Sequence, residues 1–452
     1  MAEPLSAPKG TYDILPEDQP LRRWVIGRAE AVFQRYGYRR IDTPMFEETR
    51  LFSRGVGEST DIVRKEMYTF EDLGGRSMTL RPEGTAPVAR AYVEHGMHTL
   101  PQPVKLYYHS PMFRYESPQS GRYRQHYQLG LEAFGSEAPE VDAEVIGVLA
   151  ALYRELGLEG LDLRLNSMGC RECRPGYSAV LREFLIKSAE AFCGECHERT
   201  RLNPLRTFDC KVAGCREALE AAPRLADHLC PACAAHHGRV QECLAVQGIS
   251  FIPDHTLVRG MDYYTRTTFE FQSSLLGAQS GVGGGGRYDD LVEAIGGPAT
   301  PGVGFGTGLE RILLALSRSG AAPPGAPRPV VYLVALTPEA RREAFALAHE
   351  LRGRGVAADL DYMNRSVKGQ MKQAGRSGAR YAFIIGEQEL TDRVVTVRDL
   401  VSGDEKAVPG AEAVLLAAPA GTADAATVAP GASGSAAGSA DTSGVAAAAP
   451  DA

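Results

Sequence analysis

Gly302-Val303-Gly304-Phe305-Gly306-Thr307-Gly308-Leu309-Glu310-Arg311 carries a glycine at every second position and then runs into an apolar-periodic stretch ending near Leu316. Side chains on a strand alternate between its two faces. Four glycines in that register therefore leave one face bare, and a flat group can lie against the backbone there. The Leu309-Glu310-Arg311 turn opens a helix that sets a cation beside the bare face. A glycine strand packed closely on another element is the alternative meaning of the same pattern. Strict alternation is neither a Walker A loop nor the dinucleotide fingerprint, so neither of those nucleotide-binding arrangements is predicted.

A second polar stretch lies upstream. Val104 to His109 and Gln125 to Phe134 read as two strands around a long polar loop. Between Phe113 and Gln128 that hairpin carries Arg114, Arg122 and Arg124, opposed only by Glu116. Guanidinium groups so close together repel one another unless an anion sits among them, or unless the tip is simply solvated. Arg114 follows Pro111, Met112 and Phe113, a buried-strand context, and an arginine in a core position needs a partner.

Around these two stretches the chain reads as a mixture of helices and strands. Leu21, Trp24, Val25, Ala29, Val32 and Phe33 fall at helical spacing between Glu17 and Tyr36, and a short strand from Arg39 to Thr43 stops at Pro44. Val141 to Leu156 returns to helical period, followed by strand-like sequence at Leu161 to Leu165, Ile249 to Val258 and Tyr263 to Phe271. A helix is expected from Tyr288. Gly320 to Pro329 has linker composition. Beyond it, Val330 to Leu336, a helix to about Arg354, Val356 to Asp361, a helix from Ser366, and Tyr381 to Gly386 predict a small α/β unit with a mainly parallel sheet. From about Ala411 the chain is almost all Ala, Gly, Ser and Thr, and is expected to be a disordered tail.

With 452 residues, more than one core is expected. A net charge of -7 argues against a protein that coats nucleic acid through a global positive field, and leaves room for a local basic groove. Met1 to Thr11 shows no basic start followed by an apolar run, and no segment is long and apolar enough to cross a bilayer, so a cytoplasmic protein without a membrane partner is expected. All nine cysteines fall between Cys170 and Cys243. They read as Cys170 and Cys173, Cys193 and Cys196, Cys210 and Cys215, and Cys230 and Cys233, with Cys243 left over. Two such pairs complete a closed tetrahedral site, so up to two structural zinc ions could be held; reduced core cysteines are the alternative.

In order along the chain, the helix and strand ending at Pro44, the Phe113-Arg114-Tyr115-Glu116 hairpin, and Gly302 to Arg311 resemble the three signature motifs of class II aminoacyl-tRNA synthetases. Leu257-Val258-Arg259-Gly260-Met261-Asp262-Tyr263-Tyr264, Gly285-Gly286-Arg287-Tyr288-Asp289 and Leu80-Arg81-Pro82-Glu83-Gly84-Thr85 are similar to segments of the histidine–tRNA ligases within that class. The likeness runs from about Lys9 to Val408. It implies an α+β fold: a class II catalytic core on an antiparallel sheet over residues 1–165 and 249–320, an inserted helical, Cys-rich domain over 166–248, and an α/β anticodon-binding domain over 328–410. The tail, 411–452, stays outside it. The resemblance implies a homodimer acting on ATP, L-histidine and tRNA-His, with Mg2+ accompanying ATP.

Residue by residue, the same resemblance carries Arg114 and Arg259 to the α-phosphate and Arg311 to the γ-phosphate as the catalytic cations. Glu116, Arg122, His126, Gly304, Gly306 and Gly308 complete the ATP site, His126 standing where the family commonly has Phe. It carries Glu83, Thr85 and Gln128 to the α-amino group of histidine, Glu132 to the ring N–H and Tyr264 to the other ring nitrogen. Tyr263 stands beside Tyr264, and strand alternation would turn at most one of them to the ligand. An ion pair with a nearby arginine is the alternative for Glu83 and Glu132. Gln119, Arg122 and Arg124 at the hairpin tip would meet the acceptor end of tRNA. Arg365 and Lys368, with Lys372, Arg376 and Arg380, would meet its anticodon arm. Two rival functions stand beside this one: a non-catalytic paralogue, such as an ATP phosphoribosyltransferase regulatory subunit, and a zinc-dependent nucleic-acid-binding module.

Overall fold

Leu129, Leu131 and Ala133 alternate with Gln128, Gly130 and Glu132 along one strand, and this period of two sorts the largest sheet into a helix-covered face and an open one. The computed structural model describes residues 4–58, 60–117, 121–277, 280–319 and 329–417. The chain divides into two units, Met1–Ala326 and Pro327–Ala452. In the first unit the strands are β1 (Arg39–Arg40), β2 (Phe46–Glu48), β3 (Tyr68–Glu71), β4 (Ser77–Leu80), β5 (Val104–Phe113), β6 (Gln125–Phe134), β7 (Leu161–Ser167), β8 (Ile252–Pro253), β9 (Thr265–Ser273), β10 (Gly281–Arg287) and β11 (Gly302–Gly308). Eight of them form one sheet in the order β1-β5-β6-β11-β10-β9-β7-β8. Its six central strands pair antiparallel, and the short edge strands β1 and β8 pair parallel to β5 and β7.

One face of this sheet is closed by two helices. Val25, Ala29, Val32 and Phe33 of Gln19–Arg35, with Ile146, Leu149 and Leu152 of Pro139–Glu155, pack on Leu129, Leu131, Val303, Phe305, Phe269 and Leu163. Fully burying a side chain of this size contributes about 1.5–3 kcal/mol. Arg22 of the first helix forms a buried pair with Glu310 at 3.1 Å, which ties the N-terminal helix to the start of the Leu309–Ser319 helix. A separate three-stranded sheet has the order β2-β4-β3, and Arg81 just after β4 meets the end of β5.

Between β7 and β8 the chain leaves the sheet for the helices Cys173–Lys187, Gly194–Leu202, Ala213–Leu219 and Pro231–Val246. The last returns to the core: Val240 and Leu244 join the sheet-and-helix cluster, and His236 meets the buried Asp142 at 2.8 Å. Asp142 also accepts from Thr267 and from Arg287, so the returning helix is tied into a buried polar network. Two sequence expectations are corrected here. Between Ile249 and Val258 only Ile252–Pro253 pairs as strand, because the chain then turns through Asp254 and Thr256, whose backbone is held by the Asp254 carboxylate. After Tyr288 the helix is the short Leu291–Ala294, ended by Gly296 at positive φ.

The second unit contains β12 (Val331–Ala335), β13 (Ala358–Leu360), β14 (Tyr381–Ile385), β15 (Val394–Asp399) and β16 (Glu405–Pro409), ordered β13-β12-β14-β15-β16. The first three pair parallel, as the strand-helix alternation predicts; β15 and β16 add an antiparallel hairpin that makes the sheet mixed. The expected tail from 411 is also corrected. Gly410–Ala417 is a helix whose Ala413, Val414 and Ala417 bury against this sheet, since alanine and valine at helical spacing suffice for a packed stripe. The linker stretch 320–328 and residues 418–452 lie outside the described residues.

Candidate functional site

The open face of the large sheet has a floor made of glycine. In register, Tyr108 on β5 pairs with Gly130 on β6, Gly130 with Gly306 on β11, Gly306 with Gly284 on β10, and Gly284 with Glu270 on β9. Two neighbouring strands, β11 and β10, thus present bare backbone side by side, while the Tyr108 ring covers Gly130. A Cβ at Gly284 would lie 2.4 Å from the Phe269 carbonyl, and one at Gly130 would lie 2.0 Å from the Tyr108 ring, so no larger residue fits. Above the floor opens a cavity of about 920 Å³, lined by Gly281, Gly283, Gly284, Gly306 and Gly308 among others.

Cations from distant parts of the sequence converge on this cavity. Arg114, Arg122, Arg259 and Arg311 all line it. The β5–β6 hairpin holds the first two: Arg114 Nε donates to the Pro82 carbonyl at 2.7 Å, and Arg122 pairs with Glu116 at 3.2 Å. Burial pushes the Glu116 carboxyl up, and the guanidiniums of Arg114 and Arg122 outweigh it, leaving the group below its ordinary value. Arg311 Nε donates to the Gly281 carbonyl at 2.7 Å, and burial with Arg122 nearby lowers its proton affinity. Arg259 pairs with Glu270, which also accepts from Gln272 at 2.9 Å. His126 lines the same wall; burial and the adjacent Arg114 push its imidazole down to about 4, so it is neutral near pH 7.

At the other end of the cavity the lining turns to hydroxyls, amides and carboxyls. Glu83 accepts from the backbone N–H groups of Thr85 at 2.7 Å and Ala86 at 2.8 Å, the first turn of the helix Thr85–Glu94, a position that favours negative charge. Tyr263 Oη donates to it at 3.4 Å. Glu132 is wholly buried and accepts from Thr85 Oγ1 at 2.8 Å, from Tyr108 Oη at 3.3 Å and from Tyr288 Oη. Burial pushes its carboxyl up to about 8 against the pull of these donors. Neither carboxyl forms an ion pair among the described residues, so the ion-pair alternative is not what the structure contains. Gln128 completes this end.

The sequence profile described as Histidyl-tRNA synthetase matches residues 10–312, and that described as Anticodon binding domain matches 330–416. The histidine–tRNA ligase of Moorella thermoacetica is 52% identical over 411 residues, covering 90% of this chain and 97% of the relative. That of Desulforamulus reducens is 50% identical over 409 residues, covering 90% and 98%. The chain belongs to the histidyl-tRNA synthetase family. Among solved structures, the apo histidyl-tRNA synthetase of S. aureus aligns with a TM-score of 0.77 at 38% identity, covering 91% of this chain and 99% of that one.

Of the family residues expected from the motifs, Arg114, Glu116, Arg122, His126, Gly306, Gly308, Arg259, Arg311, Glu83, Thr85, Gln128, Tyr263 and Tyr264 line one cavity. Three expectations change. Gly304 does not line it, because a Cβ there would sit 1.9 Å from Glu132 Oε2: this glycine makes room for the carboxyl rather than for a nucleotide. Glu132 itself sits beneath the lining, reached through Thr85 and Tyr108. Tyr263 and Tyr264 precede β9 in a turn, so strand alternation does not separate them, and both rings reach the cavity 4.8 Å apart.

The tRNA residues read from the motifs are placed less uniformly. Arg124 is outside the lining; its guanidinium lies 3.8 Å over the Tyr115 ring and its Nε donates to the Glu116 carbonyl. Gln119 falls outside the described residues. In the second unit Arg365, Lys368, Lys372, Arg376 and Arg380 are exposed, Arg365 pairing with Asp361 and Arg380 with Asp399.

Sequence reasoning missed several lining residues. Tyr108, Glu270, Gly281 and Gly284 line the cavity, and their signal was the strand period carried across neighbouring strands, which needs the register. Arg81 holds the motifs together instead: buried, it donates to the Thr43, Pro44 and Pro111 carbonyls.

Proposed function

We propose that the chain activates L-histidine with ATP, releasing pyrophosphate, and transfers the histidyl group to the 3' end of tRNA-His. The observation that carries this is the convergence of Arg114, Arg122, Arg259 and Arg311 over a glycine floor that continues into a pocket of hydroxyls and carboxyls. The nucleophile is the histidine carboxylate, already ionised at neutral pH, so no general base is required. Catalysis then reduces to holding that carboxylate in line with the α-phosphorus and stabilising charge on the phosphates, which suits arginine. In this reading Arg114 and Arg259 meet the α-phosphate, Arg311 the γ-phosphate, and Gly306 and Gly308 receive the adenosine with His126 stacking over it.

Magnesium is a hard cation that takes oxygen ligands, and Glu116 and Glu270, carboxylates lining the cavity beside the arginines, would hold it together with phosphate oxygens. When bound, the ion neutralises phosphate charge. The eight paired cysteines are read as structural zinc ligands.

Glu83, Thr85 and Gln128 are assigned to the α-amino group. Tyr264 donates to one imidazole nitrogen, and Glu132 accepts from the other side of the ring. A pocket built for both a donor and an acceptor leaves buried polar groups unpaired when the wrong amino acid enters, which rejects it by roughly 10⁴-fold or more. The exposed cations of the second unit are assigned to the anticodon arm, and Arg124 to the acceptor end. We further read the chain as a cytoplasmic homodimer; among the described residues no helix is long and apolar enough to cross a membrane.

Histidine-dependent ATP–pyrophosphate exchange tests the assignment, with Arg259→Ala as the control. Exchange without amino-acid preference removes the histidine assignment, and none in folded protein removes the ligase reading in favour of the non-catalytic paralogue.

A further inference from the structure

Eight of the nine cysteines gather into two groups that the spacing alone does not specify. Cys170 and Cys173 join Cys230 and Cys233, while Cys193 and Cys196 join Cys210 and Cys215; within each group the sulfurs all lie within 4.8 Å of one another. Separations of 3.7 Å for Cys170 and Cys173, 3.9 Å for Cys170 and Cys230, and 3.8 Å for Cys193 and Cys210 are too long for disulfides. They match the edge of a tetrahedron whose zinc–sulfur bonds are about 2.3 Å, roughly 3.8 Å. All nine thiols are free.

The second group sits at the wall of the cavity, and Cys210 and Lys211 line it. Between its ligands Cys196 and Cys210 lies the turn Pro204–Asp209, which carries Arg206. Arg206 is buried and turns most of its fork to the loop that bears Arg259, one terminal nitrogen also pairing with Asp209 of its own turn at 3.0 Å. Its Nε and one terminal nitrogen donate to Asp262 Oδ1 at 3.0 and 2.6 Å, and the other terminal nitrogen donates to the backbone carbonyl of Arg259 at 2.6 Å. Asn203, from the same segment, donates to the same Asp262 oxygen at 3.1 Å. Residues 257–260 belong to no helix or strand; Leu257 is held by the Asp254 carbonyl and the Asn166 amide, and beyond it this side-chain clasp, with the Asp262 N–H bonded to Val56, holds the backbone at Arg259.

We propose that the cluster of Cys193, Cys196, Cys210 and Cys215 binds zinc, and that this ion positions Arg259 by fixing both ends of the segment that carries Arg206. The inference rests on the adenylation reading only for its activity readout. Without the ion, the segment between Cys196 and Cys210 is an unclosed loop, and the order it loses is the order that aims Arg206. Arg206 is thereby a positioning residue. Its planar fork reaches Asp262 and the Arg259 carbonyl at once, which a lysine cannot do.

The test uses the full-length protein. Metal analysis should find two zinc ions per chain, and one in the Cys193→Ser, Cys210→Ser double variant. That variant should lose about 10²-fold in kcat of histidine-dependent exchange, with a smaller change in KM for histidine. Arg206→Met should keep both ions and show a similar loss, and Arg206→Lys should recover only part of it. Combining Arg206→Met with the cysteine changes should cost no more than Arg206→Met alone, because both break one linkage. Hydrogen exchange gives a readout independent of activity: peptides covering 257–262 should exchange faster in the one-zinc variant and in Arg206→Met alike. Absence of zinc from the natural protein overturns the proposal, as does unchanged exchange at 257–262 in the one-zinc variant or losses that multiply in the combined variant. Natural protein that holds zinc and orders this loop but performs no histidine-dependent exchange overturns the ligase reading and leaves the clasp standing.

Discussion

Replacing Glu132 with Gln is expected to stabilise the protein in the absence of histidine, by an amount that grows with pH. The carboxyl is wholly buried, held by the hydroxyls of Thr85, Tyr108 and Tyr288, and pushed up to about 8 from an ordinary 4.5, chiefly by burial. In the unfolded chain the proton leaves near pH 4.5 and in the folded chain near 8, so between those values the folded state holds one proton more. Stability from this group is complete below about pH 4.5 and is lost as pH rises through 8, at about 1.4 kcal/mol per pH unit. Glutamine does not titrate; its oxygen can accept from the Thr85 and Tyr108 hydroxyls, and its amide nitrogen can donate to the Tyr288 oxygen once that hydroxyl turns. The variant should therefore gain on the natural protein as pH rises, by about 3 kcal/mol at pH 7, with the gap levelling above pH 8. Urea unfolding at fixed protein concentration from pH 5 to 8.5 measures it. A difference that stays constant with pH would show that Glu132 is ionised in the folded protein at neutral pH, and would refute the argument.

Three further outcomes follow from the geometry. Arg259→Ala should lower histidine-dependent exchange by about 10²- to 10³-fold, since it removes a charge aimed at the phosphates, while circular dichroism stays unchanged. Glu310→Gln strands the buried Arg22 and weakens the acceptor for the Tyr127 N–H, and should cost about 3–5 kcal/mol in urea unfolding. Gly304→Ala puts a methyl 1.9 Å from Glu132 Oε2 and 2.4 Å from the Leu131 carbonyl; it should destabilise the protein by about 1–3 kcal/mol and raise KM for histidine more than KM for ATP.

What could be read from the sequence was whatever has a local period. The alternation Gly302 to Gly308 predicted a strand with one bare face, and β11 is that strand. The two hairpin strands were also legible, although β5 runs on to Phe113 because Ser110, Pro111 and Met112 face Gln128, Tyr127 and His126 across the ladder. What could not be read was anything set by register between strands distant in sequence. Nothing local to Gly284 says that it lies beside Gly306, yet that adjacency makes the floor. The same limit explains Gly304: its alternation with Gly306 was plain, but Glu132 stands opposite it through a pairing 172 positions apart in the chain, so its bareness is filled from within. The cysteines show the limit again. Their spacing predicted pairs, and only the fold says that the first pair closes with the last.

The glycine stripe therefore has two uses along one strand, and the division between them explains how a single cleft can hold two unlike substrates. At Gly302 and Gly304 the missing side chains admit the Tyr288 ring and the Glu132 carboxyl, polar groups that arrive from neighbouring segments and carry no net positive charge. At Gly306 and Gly308 nothing comparable enters; a Cβ at Gly306 would be 3.5 Å from the Gln128 amide oxygen, and the space above belongs to the cavity and its arginines. On the proposed reading the imidazole lies over the filled half and the nucleotide over the empty half, so the carboxylate of histidine falls at their boundary, beside Arg114 and Arg259. A carboxyl as hard to ionise as Glu132 belongs on the filled side for an electrostatic reason. Fully charged in the ligand-free site, it would attract the arginines and any cation in reach. Kept largely protonated near pH 7, chiefly by burial, it does not compete with the phosphates of the proposed nucleotide for the guanidiniums.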